Sequence, residues 1–126
     1  MIRNIEMITN TIQDFSYADI KYLTAFYLGY SSEISDHKAH LEIDFVIEDK
    51  NNKDNRILAK FRFRHPKQVY LDSDGTYHQI HLDIEDITDR GWENSRYKVL
   101  DYEEGTLSFY CSSVEVISVI ATDYEI

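Results

Sequence analysis

Apolar and polar residues alternate along most of this chain, and that alternation, more than any catalytic motif, is its legible feature. Residues 97–116, YKVLDYEEGTLSFYCSSVEV, set two such runs on either side of Glu104-Gly105, which predicts a β-hairpin around which the other strands assemble. A four-residue connection from Glu103 to Thr106 gives Gly105 a left-handed position and pairs Tyr102 with Leu107, Leu100 with Phe109 and Lys98 with Cys111. Apolar residues then face apolar ones, apart from Lys98. The reverse face carries Val99 opposite Tyr110, Asp101 opposite Ser108 and Tyr97 opposite Ser112. A one-residue slip sets Leu100 against Ser108 and mixes the faces, so the pattern selects the first register.

The same period recurs upstream. AHLEIDFVIED places Ala39, Leu41, Ile43, Phe45 and Ile47 on one face, and ILAKFRFRH places Ile57, Ala59, Phe61 and Phe63 likewise. A charged turn, Asp49 to Arg56, joins them. Pairing Phe45 with Phe61 sets Asp44 opposite Arg62 and Glu42 opposite Arg64, an exposed ladder that neutralises these arginines within the chain. Pro66 breaks or bends the strand, KQVYL continues it, and HQIHLDIEDIT turns Ile80, Leu82 and Ile84 inward. Val114 to Ala121 is apolar on both faces, as in a central or well-covered strand, and the tail TDYEI is expected to fray. Near the start, Ile2, Ile5, Ile8, Ile12 and Phe15 stand three and four apart and predict a short amphipathic helix over residues 2–15. A turn at Ser16 to Asp19 leads into a strand from Ile20 to Leu28 that Gly29 ends, with a helix as the competing reading. The expected fold is mainly β, α+β at most: a single antiparallel sandwich or partly open barrel with a short N-terminal helix.

With 126 residues, one Pro and 4 Gly, the chain suits one domain, residues 1–126, with little room for a linker. The 10 Tyr and 6 Phe favour strands. Cys111, alone and in an apolar alternation, fits a buried thiol in a reducing compartment, and no apolar run reaches the roughly 20 residues of a membrane span. Cytoplasm is the expected location. Net charge is −10, concentrated in residues 72–104, which hold 10 acidic and 3 basic residues. That balance repels phosphate backbones and anionic lipid, so neither nucleic acid nor membrane is an expected partner, and it attracts a basic protein. Solubility alone is the ordinary explanation of such acidity.

Candidate chemistry is sparse. Asp72-Ser73-Asp74-Gly75 looks like the start of a calcium loop, but Gly75 comes two places early and no helices flank it, so a turn is the better reading. His37 with His40, and His78 with His81, stand three apart, which on strands points them to opposite faces. No metal or other cofactor is expected. Ser112 and Ser113 lie on no Gly-flanked elbow, and sequence alone sets no His beside them. Trp92 is either a core plug at a sheet end or an exposed anchor, and the tyrosines exceed what a core of this size can hydrogen-bond.

The order of IKYLTAF, LEIDFVIED, LAKFRFRHPKQVYL and YKVLDYEEGTLSFYCSSVEV resembles small β-rich immunity proteins of bacterial polymorphic and contact-dependent toxin systems. The resemblance implies a cytoplasmic, non-enzymatic inhibitor whose acidic face covers the basic, nuclease-like active site of a toxin domain. On that reading the partner-binding residues are Asp83, Glu85, Asp86, Asp89, Glu93, Asp101, Glu103 and Glu104, with Trp92 and Tyr102 as apolar anchors. The alternative is a small-ligand or enzymatic β-barrel with a pocket lined by Tyr and His. A third reading is a subunit that self-associates through a strand edge. Oligomeric state is not legible.

Overall fold

The computed structural model describes residues 2–30, 39–72 and 78–124. Among these residues ten strands form two sheets. The larger contains β1 (Ile2–Arg3), β10 (Ser113–Ala121), β4 (Asn52–Arg64), β3 (Ala39–Asp49), β2 (Ile20–Tyr30) and β6 (His78–Gln79), in that spatial order. The smaller contains β5 (Lys67–Leu71), β9 (Leu107–Cys111), β8 (Tyr97–Asp101) and β7 (Leu82–Asp86). All pairings are antiparallel except β1 with β10, and the sheets do not close into a barrel.

The alternation dictates which side chains the sheets share. Leu41, Ile43, Phe45 and Ile47 of β3 and Ile57, Ala59, Phe61 and Phe63 of β4 are buried against Leu82 and Ile84 of β7, Val99 of β8, and Leu107, Phe109 and Cys111 of β9. Phe63 meets Phe109 edge-on across the interface at 4.9 Å between ring centroids. Burial pushes the Cys111 thiol up to about 12, so it is an inert core group.

Two registers differ from the sequence expectation, for different reasons. In the β3–β4 hairpin Phe45 pairs with Ala59, and Ile43 with Phe61, a displacement of two residues. Faces are unchanged by an even slip, so the hydrophobic pattern cannot see it. The turn decides instead: it tightens to Lys50-Asn51, fixed by the Asp49 carboxylate accepting from the Asn51 amide at 2.9 Å. The remaining charged residues join β4, with the register irregular between Glu48 and Asp49. Phe45 and Phe61 still touch diagonally, at 5.3 Å. Glu42 now faces Arg62, which donates to it at 2.9 Å, while Arg64 faces His40. For the half-buried Arg62–Glu42 pair, a double-mutant cycle with Ala is expected to give a coupling of about 0.2–1 kcal/mol by urea unfolding.

In the β8–β9 hairpin the register is the slip that the pattern disfavoured. Val99 pairs with Phe109, Leu100 with Ser108, and Tyr97 with Cys111. The cause is Asp101, which turns inward and is only 2% exposed. Its carboxylate accepts from the Thr106 hydroxyl at 2.7 Å, the Glu103 amide at 3.2 Å and the Glu104 amide at 3.4 Å. A charged residue counted as polar and outward is thus the internal cap of its own turn.

Other elements are shorter or more bound than expected. The N-terminal helix α1 covers only Glu6–Thr9, because Ile2 and Arg3 leave it to pair with Val114 and Glu115. Gly29 does not end β2, and KQVYL is a strand of the second sheet rather than a continuation of β4. β10 is flanked by β1 for two residue pairs only, and after its irregularity at Val116/Ser118 it ends in the exposed Ile120 and Ala121. The tail is tied as far as Tyr124: the Thr122 amide donates to the Arg56 carbonyl at 3.1 Å, and Arg56 donates to the Tyr124 carbonyl at 3.2 Å.

Candidate partner-binding face

The smaller sheet turns one side to the core and the other outward. Across its four strands the outward rows read Asp83, Leu100, Ser108, Tyr70 and Glu85, Lys98, Tyr110, Lys67. β7 is the edge, so its carboxylates line a rim. Leu82 and Ile84 are buried, while Glu85 and Asp86 are exposed and Asp83 is half-buried. In the 3-10 turn Tyr17–Asp19, the Tyr17 hydroxyl is pushed up by burial and then by the negative charge of Asp83.

Beyond β7 the chain makes a 3-10 turn, Thr88–Arg90, closed by Gly91 with a left-handed φ of 67°. Asp86 starts that turn. Its carboxyl is held below the usual range by the Thr88 hydroxyl and by the Thr88 amide, which donates at 2.9 Å. The following loop is pinned from both sides, with Lys67 donating to the Glu93 carbonyl at 3.0 Å and the Arg96 amide donating to the Cys111 carbonyl at 2.9 Å. Trp92 is thereby set half-exposed against Tyr110, with centroids 5.5 Å apart and the Arg90 guanidinium 5.4 Å from its ring. Of the two sequence readings of Trp92, the exposed position is the one observed. The Lys98 ammonium lies 5.8 Å from the Tyr110 ring on the same face.

The ten residues singled out from sequence separate into three places. Asp83, Glu85, Asp86, Asp89, Trp92 and Glu93 share the β7 rim and the adjoining loop. Tyr102, Glu103 and Glu104 are exposed at the opposite end, in the β8–β9 turn, where Tyr102 meets His81 at 5.9 Å. Asp101 is buried under that turn and is not presented at all. Tyr70 and Tyr110, unmarked by charge, were missed, although their outward parity on alternating strands was a usable signal.

The chain matches the family described as Immunity protein PIM8 over residues 7–117. It belongs to that family. The span of the PIM8 match takes in both sheets apart from β1 and the end of β10, and includes the whole candidate face. No curated protein and no solved structure matches the chain.

Other chemistry is limited. The calcium-like segment lies outside the described residues except for Asp72, as does His37 of the first His pair. Among the described residues no three His, Cys, Asp or Glu side chains converge as metal ligands, and no helix is long and apolar enough to cross a membrane. One contact hidden from sequence is that of His65 Nδ1 with Ser112 Oγ, at 2.6 Å. The Ser112 hydroxyl also lies 3.2 Å from the Arg64 carbonyl.

Proposed function

We propose that this immunity protein neutralises a cognate bacterial toxin domain by binding it, with the β7 rim and the outer face of the smaller sheet as the contact surface. The observation that carries the reading is the coincidence of exposed carboxylates, Glu85, Asp86, Asp89 and Glu93, with exposed aromatics, Trp92 and Tyr70, on the smaller sheet and the loop that follows β7. Carboxylates at the rim accelerate encounter with a basic surface, and aromatic side chains at the centre supply the desolvated contacts that hold it. A basic toxin such as a nuclease fits this polarity, because a surface that binds phosphates is complementary to a carboxylate array. Cytoplasmic residence is consistent with the single, buried, unpaired Cys111. The inhibitor acts by occlusion and makes or breaks no bond.

The triple variant Asp86→Lys, Asp89→Lys, Glu93→Lys tests the electrostatic part. Its association with the toxin domain, followed by surface plasmon resonance over a salt series, is expected to slow about tenfold or more at low salt and to lose most of its salt dependence. An unchanged rate would remove the rim from the site.

A further inference from the structure

We propose that the corner where the chain passes between its two sheets is a cationic cleft that receives the carboxylates of an acidic segment on the protein partner. This rests on the toxin-binding reading above and adds to it a second contact of opposite sign.

The cleft, of about 520 Å³, is lined among others by Arg3, Arg64, His65, Trp92, Arg96 and Ser112, and by no Asp or Glu among the described residues. In a chain with 23 acidic and 13 basic residues, a concavity lined by three arginines and, among the described residues, by no Asp or Glu runs against the composition. The register of the β3–β4 hairpin explains how it arises. Shifting by two residues hands Glu42 to Arg62 and leaves Arg64 opposite His40. Among the described residues, Arg3, Arg64 and Arg96 make no ion pair within 4.0 Å, although the Arg96 charge reaches the Asp86 carboxyl; the carboxylate next to Arg3 in the strand pairing, Glu115, also stands opposite Arg62.

The corner is held in shape. Ser112 donates its amide to the Arg64 carbonyl at 2.8 Å, and its hydroxyl oxygen contacts the same carbonyl and the His65 ring. His65 and Asn94, both in the lining, have left-handed φ values of 53° and 56°, and Asn4 beside Arg3 has 62°. Guanidinium forks on such a frame match the geometry of carboxylates.

Two observations favour a carboxylate carried by a docking protein over a free phosphate or nucleotide. Trp92 belongs both to the cleft lining and, through Tyr110, to the candidate face, so the cleft opens at the edge of the surface the partner covers. The Trp92 ring already has Arg90 against it, which disfavours stacking by a base. An acidic rim beside a basic cleft also fixes orientation, since a toxin rotated on the face would set like charges together.

Trp92 is the only tryptophan, so its fluorescence reports on the cleft. The full chain is titrated with tetraglutamate, and in parallel with inorganic phosphate and adenosine monophosphate, at constant ionic strength. Tetraglutamate is expected to give a saturable change at roughly millimolar concentration. In the folded double variant Arg64→Ala, Arg96→Ala it is expected to bind about tenfold more weakly, with partial recovery in Arg64→Lys, Arg96→Lys. No saturable response to tetraglutamate, an unchanged response in the alanine variant, or equal or tighter binding of phosphate or the nucleotide would each overturn the proposal. The peptide assay contains no toxin, so its failure leaves the toxin-binding reading standing. Conversely, loss of that reading through the rim variant leaves the peptide result intact.

Discussion

Asp101→Ala is expected to lower stability at neutral pH by about 2–4 kcal/mol, the range for leaving several buried donors to a carboxylate unsatisfied. The fold depends on this side chain more than its charge suggests. Burial alone would push its carboxyl up, but the Thr106 hydroxyl and the amides of Glu103, Glu104 and His81 outweigh that and hold it below the usual range. A carboxyl depressed on folding stabilises above its unfolded value near pH 3.9, and the contribution is lost as pH falls through the lower, folded value. Wild type should therefore exceed Asp101→Asn in stability at pH 7, with the gap closing as pH falls below the unfolded value and through the folded one. Urea unfolding at pH 7 and across that acid range checks it. A gap that persists unchanged in acid would mean that Asp101 acts by shape and not by charge.

Trp92→Ala is expected to weaken toxin binding by about 2 kcal/mol or more, roughly thirtyfold in Kd, mainly through faster dissociation. Tyr110→Ala should do the same to a lesser degree, and the two should couple non-additively because the rings touch at 5.5 Å. Folding stability should change little for Trp92, which is half-exposed. Tyr30, 75% exposed on β2 of the other sheet, is the matched control. Its replacement by Ala should leave affinity unchanged, and surface plasmon resonance on wild type, the three single variants and the Trp92/Tyr110 double variant separates a local contact from a general loss of surface tyrosine.

The sequence pattern was most informative about faces and least about registers. Leu41, Ile43, Phe45, Phe61 and Phe63 are buried where the alternation put them, because one buried face imposes period two. Register depends on turns, and turn chemistry here lies in carboxylates that a hydrophobicity pattern counts as exterior. Asp49 and Asp101 each bind their own backbone and move the pairing, by two residues and by one. The acidic stretch 83–104 was legible as composition, but its residues occupy a rim, a distant turn and the interior. Proximity across the fold was not legible at all. His65 and Ser112 lie 47 residues apart, and the cleft around them depends on both sheets turning at the same corner.

The most direct measurement is amide hydrogen exchange on the protein alone and with the proposed toxin domain added. Added protection along β7, the 88–94 loop and the strands beneath Tyr70 and Tyr110, with the outer face of the larger sheet unchanged, is the expected footprint. Protection confined to the larger sheet, or none with the toxin bound, would contradict the assignment of the face.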